Sequence, residues 1–344
     1  MNRINRRIFA IALVMALMLA SVSGAVTANA ADALVEITLD GTQNYAMASE
    51  VLAIINTERA AEGLAPLTAD PVLMDYAMQR AAEVYLYYSH TRPDGTSCMT
   101  VFGEDYTYGW MGENIAMGQR NAQEVMTAWM NSEGHRANIL ESAYTSVGIG
   151  CFYQPDGSIA WVQLFHSKVS EQSDDRSSAV DVTGVTVSAL PSSLVGYVQH
   201  HYFSSDTCAV YLYEGTTVAT EFYLTNPGLP WVHTVAINSA NYAYTTSDSA
   251  VLSVDNANRT LIATGVGVAQ LGVQIDGVDI YVMDDSGYTN PTATVEVMRM
   301  PKLTYEIDEQ GNIHVDYSEF NSTHRRNQNN HQRHKSNVRR NSFK

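Results

Sequence analysis

The sequence is poor in cysteine, in positive charge and in long apolar runs. Three cysteines in 344 residues are too few for a disulfide-framed scaffold, and no cluster of them has metal-ligand spacing. Beyond the N-terminus, no apolar stretch is long enough to cross a bilayer. H-E-x-x-H, G-x-S-x-G, a P-loop and the dinucleotide-binding glycine fingerprint are all missing, which removes the best-marked hydrolases and nucleotide enzymes. Between Asp32 and Glu319, ten Lys and Arg stand against all 36 Asp and Glu, about −26 for that part. So acidic a body disfavours nucleic acid, whose phosphates are bound mainly through Lys and Arg, and leaves divalent cations as partners.

What is present begins with an export signature. Arg3, Arg6 and Arg7 precede the uncharged run IFAIALVMALMLASVSG, and Ala28-Asn29-Ala30 supplies an A-x-A cleavage pattern. This is the layout of a secretory signal peptide over residues 1–30. The mature chain is expected to be secreted, extracellular or cell-surface associated, with no membrane span once the signal is cleaved. The opposite end, residues 320–344, carries seven basic residues and no acidic one. It is Asn-rich, buries too little to fold, and reads as a disordered basic tail. In an oxidising compartment two cysteines can pair. Cys98 and Cys151, both in the first half, are the expected disulfide, and Cys208 reads as a buried small hydrophobe in a Val/Tyr-rich run.

The mature chain is long enough for two ordinary domains, and its halves follow different patterns. From residue 45 to 168 helical and strand periods alternate. Val51, Ile54 and Ile55 form the stripe of a first helix that stops at Gly63. Asp70-Pro71 supplies an N-cap and a first-turn proline for a second helix carrying Leu73, Ala77, Ala81, Val84 and Tyr88. HTRPDGTSC is a loop turning at Pro93-Asp94-Gly95. A third helix opens at Asn121, with Glu124 three residues on and Val125 and Trp129 following. TSVGIGCFY and SIAWVQLF flank a QPDG turn as two antiparallel strands. A polar linker, residues 169–182, separates this part from an all-β region over residues 183–300.

Taken singly, the chemically interesting residues of the first half have structural readings. His90 follows the second helix, where a histidine meets the last carbonyls and the helix dipole. Glu113, beside Asn114, reads as an N-cap or a solvated loop carboxylate. Gly134, between Glu133 and His135, reads as the end of the third helix. Spacings of about twenty residues between these groups match no local metal motif.

Taken in order, they resemble a known family. NTERAAEGLAPLTADPVLMDYAMQRAAE, SHTRPDG, GENIA, W-x-x-S-E-G-H-R-x-N-I-L, VGIGC and WVQLF occur in the sequence of the CAP superfamily (cysteine-rich secretory proteins, antigen 5, pathogenesis-related 1), closest to its bacterial SCP-like branch. The resemblance implies an α-β-α sandwich with a shallow cavity lined by two His and two acidic residues. Matched by position, His90, Glu113 and His135 fall in that cavity, and Asn114 matches a structural asparagine. The fourth position departs from the pattern: Ser132 stands where the family has Glu, and Glu133 comes one residue later. A one-residue shift turns a helical side chain by about 100°; the adjacent glycine could restore it, so both placements of Glu133 stay open.

The second half, best over residues 208–297, resembles bacterial Ig-like domains of the group 2 type, on YTTSDSAVLSVDNANRTLIATGVGVAQLGVQIDG. The expected fold class is therefore α+β, a CAP-like sandwich followed by an all-β Ig-like sandwich. The expected function is extracellular binding, with His90, His135 and Glu113 able to hold a divalent metal such as zinc and an extracellular or cell-surface ligand as partner. Two rivals are a secreted metal- or acid/base-assisted hydrolase of peptides or cell wall and an adhesin acting through the Ig-like half. No catalytic residue is assigned, and fold alone does not choose among them.

Overall fold

Three helices of the first half start where a side chain satisfies their free N–H groups. The computed structural model describes residues 33–170, 176, 179–200, 209–226, 229, 242–283, 289–300, 304–308 and 313–316. The signal segment, the basic tail and Cys208 lie outside the described residues. The chain divides into Met1–Ala33 and Leu34–Lys344, and every described helix and strand lies in the second unit. Helix α1 (Tyr45–Ala61) is capped by Asn44, which accepts from Met47 N–H, and it buries Val51 and Ile55. Beyond it Gly63 takes φ 72°, the left-handed position that a glycine favours after a helix. Helix α2 (Pro71–Leu86) starts on Asp70, whose carboxylate accepts from Val72 and Leu73 N–H. Helix α3 (Ala122–Met130) starts on Asn121, which accepts from Glu124 N–H. The Glu124 carboxylate in turn takes the Arg120 N–H at 2.9 Å.

The six strands of the first sheet are β1 (Val35–Gln43), β2 (Thr68–Ala69), β3 (Met111–Met117), β4 (Ser146–Tyr153), β5 (Ile159–His166) and β6 (Val182–Ala189). Their order is β3-β5-β4-β1-β6, with β2 on β4. The β4–β5 hairpin closes at Tyr153↔Ile159 around the QPDG turn, as expected. Both of its strands are buried almost throughout, because helices cover the sheet. Helix α2 sits directly on β4. A Cβ at Gly148 would lie 2.1 Å from the Leu73 carbonyl oxygen, and one at Gly150 1.9 Å from that of Ala77. The VGIGC glycines are what allow helix backbone and strand backbone to touch.

Two apolar clusters organise this half. One joins α1 and α3 to the hairpin through Val51, Ile55, Val125, Trp129, Ile149 and Trp161. The other takes Leu73, Ala77, Ala81 and Val84 of α2 together with Ile37 and Leu39 of β1 and Val185 and Val187 of β6, and continues into the second half.

The boundary expected near residue 183 is displaced by this arrangement. β6 belongs to the first sheet, running antiparallel to β1 in the register Val35↔Ala189 through Gln43↔Val182. An edge strand exposes a row of unpaired N–H and C=O groups; β6 covers that row on β1. It also accepts from Gln79 of α2 through the Thr186 carbonyl at 2.9 Å.

The second half is all-β, as expected. It contains β7 (Val195–His200), β8 (Ala209–Tyr213), β9 (Thr217–Thr225), β10 (Tyr242–Thr246), β11 (Leu252–Asp255), β12 (Thr260–Ala263), β13 (Gly267–Ile275), β14 (Val278–Met283), β15 (Thr289–Asn290) and β16 (Ala293–Met298), followed by a pair, β17 (Thr304–Ile307) and β18 (Ile313–Asp316). Asp276-Gly277, at φ 49° and 80°, makes the tight turn between β13 and β14. Buried Asn226 ties the halves together: its Nδ2 donates to the Val84 and Tyr85 carbonyls at 3.1 and 2.8 Å. Its Oδ1 accepts from Tyr88 N–H at 2.9 Å, so the C-terminus of α2 is capped from the second half.

The expected disulfide is not formed: Cys98 and Cys151 are both free and buried. Each is held elsewhere by backbone. Cys151 is paired with Trp161 inside the hairpin and packs in the α1/α3 cluster. Cys98 opens a 3-10 turn, Cys98–Val101, where its N–H donates to the His90 carbonyl at 2.9 Å.

Candidate functional site

GENIA is a strand and not a loop, which changes the reading of Glu113. On β3 it pairs in register with Leu164, and Asn114 with Gln163; Glu113 is 5% exposed and Asn114 fully buried. A buried carboxylate must find cationic or N–H partners, and Glu113 has one for each oxygen. Arg80 Nε lies 2.8 Å from Oε2, and His90 Nδ1 lies 2.7 Å from Oε1. Arg80, fully buried on α2, also donates to the Ser89 carbonyl and stands 3.5 Å from Glu83. Glu83 accepts twice from Arg92, at 2.9 and 2.6 Å. Charges thus alternate along His90, Glu113, Arg80, Glu83 and Arg92, and they pin the SHTRPDG loop between α2 and β3.

His90 does not cap α2. The helix ends at Leu86, where the Tyr87 N–H reaches back to the Glu83 carbonyl, and the His90 ring turns to Glu113 with its side chain 58% exposed. The neighbouring Cys98 thiol and Glu113 carboxylate push its pKa up to about 9, against partial burial. A histidine held through Nδ1 by a carboxylate keeps a fixed ring plane and leaves Nε2 for other use.

The WMNSEGHRANIL stretch breaks earlier than expected. Helix α3 ends at Met130, and helix α4 (Glu133–Ile139) starts after Ser132. Gly134 is inside α4, with nothing within 4 Å of the place a Cβ would occupy. The break falls on Asn131-Ser132, two residues whose side chains compete with helical backbone bonding.

Asn114 docks the new helix. Its Nδ2 donates to the His135 carbonyl at 3.1 Å and to Gln163 Oε1 at 2.9 Å, while Asn138 Nδ2 donates to its Oδ1 at 2.9 Å. His135 is half-buried. Burial, and then the charge of His90, lower its pKa, which favours the neutral imidazole that binds metals. Glu133 is exposed as the first residue of α4 and stands outside the Arg80–Glu113–His90 network.

The structure therefore brings His90 into direct contact with Glu113 and sets His135 within reach of the His90 charge. It also adds Cys98, which the sequence alone had placed in a disulfide. One donor atom from each of His90, Cys98 and Glu113 lies within 4.8 Å of the other two. Imidazole, thiol and carboxylate suit a zinc-class cation. Among the described residues no helix is long and apolar enough to cross a membrane.

The matches to known proteins fall in this half. Residues 52–165 match the family described as CAP, the cysteine-rich secretory protein family. The uncharacterized protein YkwD of Bacillus subtilis is 41% identical over 124 residues, 35% of this chain and 46% of that protein. The uncharacterized membrane protein YlbC of the same organism is 31% identical over 104 residues, 29% of this chain and 30% of that protein. The chain thus spans less than half the length of either curated relative. Among solved structures, an extracellular protein containing an SCP domain from Bacillus anthracis is 26% identical, covering 36% of this chain and 40% of that one with a TM-score of 0.32.

Proposed function

With residues 52–165 a CAP domain of the bacterial SCP-like type, we propose that this chain is an exported extracellular binding protein whose CAP cavity holds a divalent cation through His90 and His135, assisted by Glu113. The observation that carries this reading is the His90–Glu113 pair at 2.7 Å. An imidazole with its side chain 58% exposed is oriented by a carboxylate 1% exposed, itself clamped by Arg80 at 2.8 Å. That is how a ligating histidine is held, with its outer partner fixed before the metal arrives. The export signature supports the extracellular setting. The all-β half, likened to bacterial Ig-like domains, serves as stalk or support for the cavity.

Binding is favoured over hydrolysis for a specific reason. Both Glu113 oxygens are engaged, by Arg80 and by His90, so this carboxylate is not free to take a proton from water. Isothermal titration of Zn²⁺ into the wild type and into His90→Ala/His135→Ala tests the proposal. Binding to the wild type that the double substitution removes is expected; a wild type that takes up no zinc refutes the cation clause.

A further inference from the structure

We propose that Cys98 is a thiolate ligand of the same cation site, joining His90 and His135 while Glu113 stays the outer partner of His90, and making the site selective for zinc-class ions over calcium and magnesium. This rests on the cation reading above and names its ligand set. The PDG turn folds the loop back on itself: Arg92 N–H donates to the Thr96 carbonyl at 2.8 Å, Thr91 bridges Ser97, and Cys98 N–H donates to the His90 carbonyl at 2.9 Å. The side chains of residues 90 and 98 meet above β3, where donor atoms of His90, Cys98 and Glu113 lie within 4.8 Å of one another. Zinc-class ions hold N, O and S ligands at about 2.0–2.3 Å, separating neighbouring donors by roughly 3–4 Å. Side-chain torsions can absorb the remaining difference.

Charge explains why a thiolate matters here. Glu113 is already neutralised by the buried Arg80 guanidinium at 2.8 Å, so a dication entering beside it must displace the His90 proton to solvent and then meets two imidazoles and little net negative charge. Cys98, on losing its thiol proton to solvent, supplies the missing anion, and binding releases that proton. Sulfur also sets the selectivity, because thiolates favour zinc-class and softer ions while calcium and magnesium take oxygen. The other described thiol, Cys151, is buried in the hairpin, where desolvation raises its pKa strongly, and it offers no thiolate.

The test is anaerobic titration of the mature full-length protein with Co²⁺, followed by near-ultraviolet absorption and by competition with Zn²⁺. The wild type should develop a sulfur-to-cobalt charge-transfer band saturating at one ion per chain. Cys98→Ser should lose the band and weaken the ion by about tenfold or more, the least expected for a direct ligand when outer partners cost that much. Cys208→Ser should keep both band and affinity. Cobalt binding to the wild type without the band, or a band that survives Cys98→Ser, overturns the role of Cys98 and leaves the cation reading standing. No binding of either ion to the wild type overturns both. If Cys98→Ser fails to fold, Cys208→Ser decides the case: a band kept there assigns the sulfur to Cys98, Cys151 being desolvated in the hairpin, and a band lost there overturns the role of Cys98.

Discussion

Replacing Glu113 by Gln and His90 by Gln should have very different costs, although the two residues share a hydrogen bond. The Glu113 and Arg80 side chains are 1% and 0% exposed and 2.8 Å apart. The other carboxylate near Arg80, Glu83, stands 3.5 Å away and already accepts twice from Arg92. A neutral amide at 113 leaves a buried guanidinium with the Ser89 carbonyl and, as its anionic partner among the described residues, only that shared carboxylate. Removing one member of a buried pair costs about 3–5 kcal/mol; the remaining Glu83 contact puts this case near the lower end, about 3 kcal/mol. On the other side of the carboxylate the His90 side chain is 58% exposed, and an ion pair screened by water contributes about 0–1 kcal/mol. Urea unfolding at neutral pH with a chelator present measures both. With a slope of roughly 1–3 kcal/mol per molar, Glu113→Gln should lower the midpoint by about 1–3 M and His90→Gln by far less. Equal shifts for the two variants would refute the assignment of Glu113 as the anchor of a buried network.

Four further outcomes are expected. Gly134→Ala should stabilise by about 0.5–1 kcal/mol, since Gly134 is inside α4 and a Cβ there meets open space. Gly150→Ala should destabilise by about 1–3 kcal/mol or more, its Cβ falling 1.9 Å from the Ala77 carbonyl oxygen; thermal unfolding reads both signs. A fragment covering residues 33–190 should unfold at higher temperature than one covering 33–168, because only the longer retains β6 on β1; equal midpoints would contradict that pairing. His166 is fully buried, and burial lowers its pKa, so the folded state prefers the neutral ring. The stability this gives is complete above the unfolded value of about 6.5 and is lost as pH falls through the lower folded value. His166→Gln should flatten that acid limb in denaturant titrations between about pH 7.5 and pH 5.

What could be read from the sequence is what local chemistry decides. The Asn121–Glu124 start, the Asp70-Pro71 start, Gly63 after α1 and the QPDG hairpin each depend on residues within a few positions of one another. β1 and β6 are not legible in that way, since Ile37 pairs with Val187 and neither strand announces its partner. Glu113 reads locally as a loop carboxylate because its burial is made tolerable by Arg80, far away in sequence on α2. The ordered motifs point to His90, Glu113 and His135 together but say nothing of Cys98. Antiparallel pairing about the PDG turn, Thr91 opposite Ser97, could have placed residue 98 beside residue 90. Gly134 misleads because glycine usually ends helices, whereas Asn131 and Ser132 end this one.

Crystals of the full-length protein grown with zinc and measured at the zinc absorption edge test the central claim most directly. An anomalous peak bonded to His90 and His135, with Glu113 still clamped by Arg80, is the predicted result. Zinc bound only at other residues, with His90 and His135 left free of metal, would contradict it.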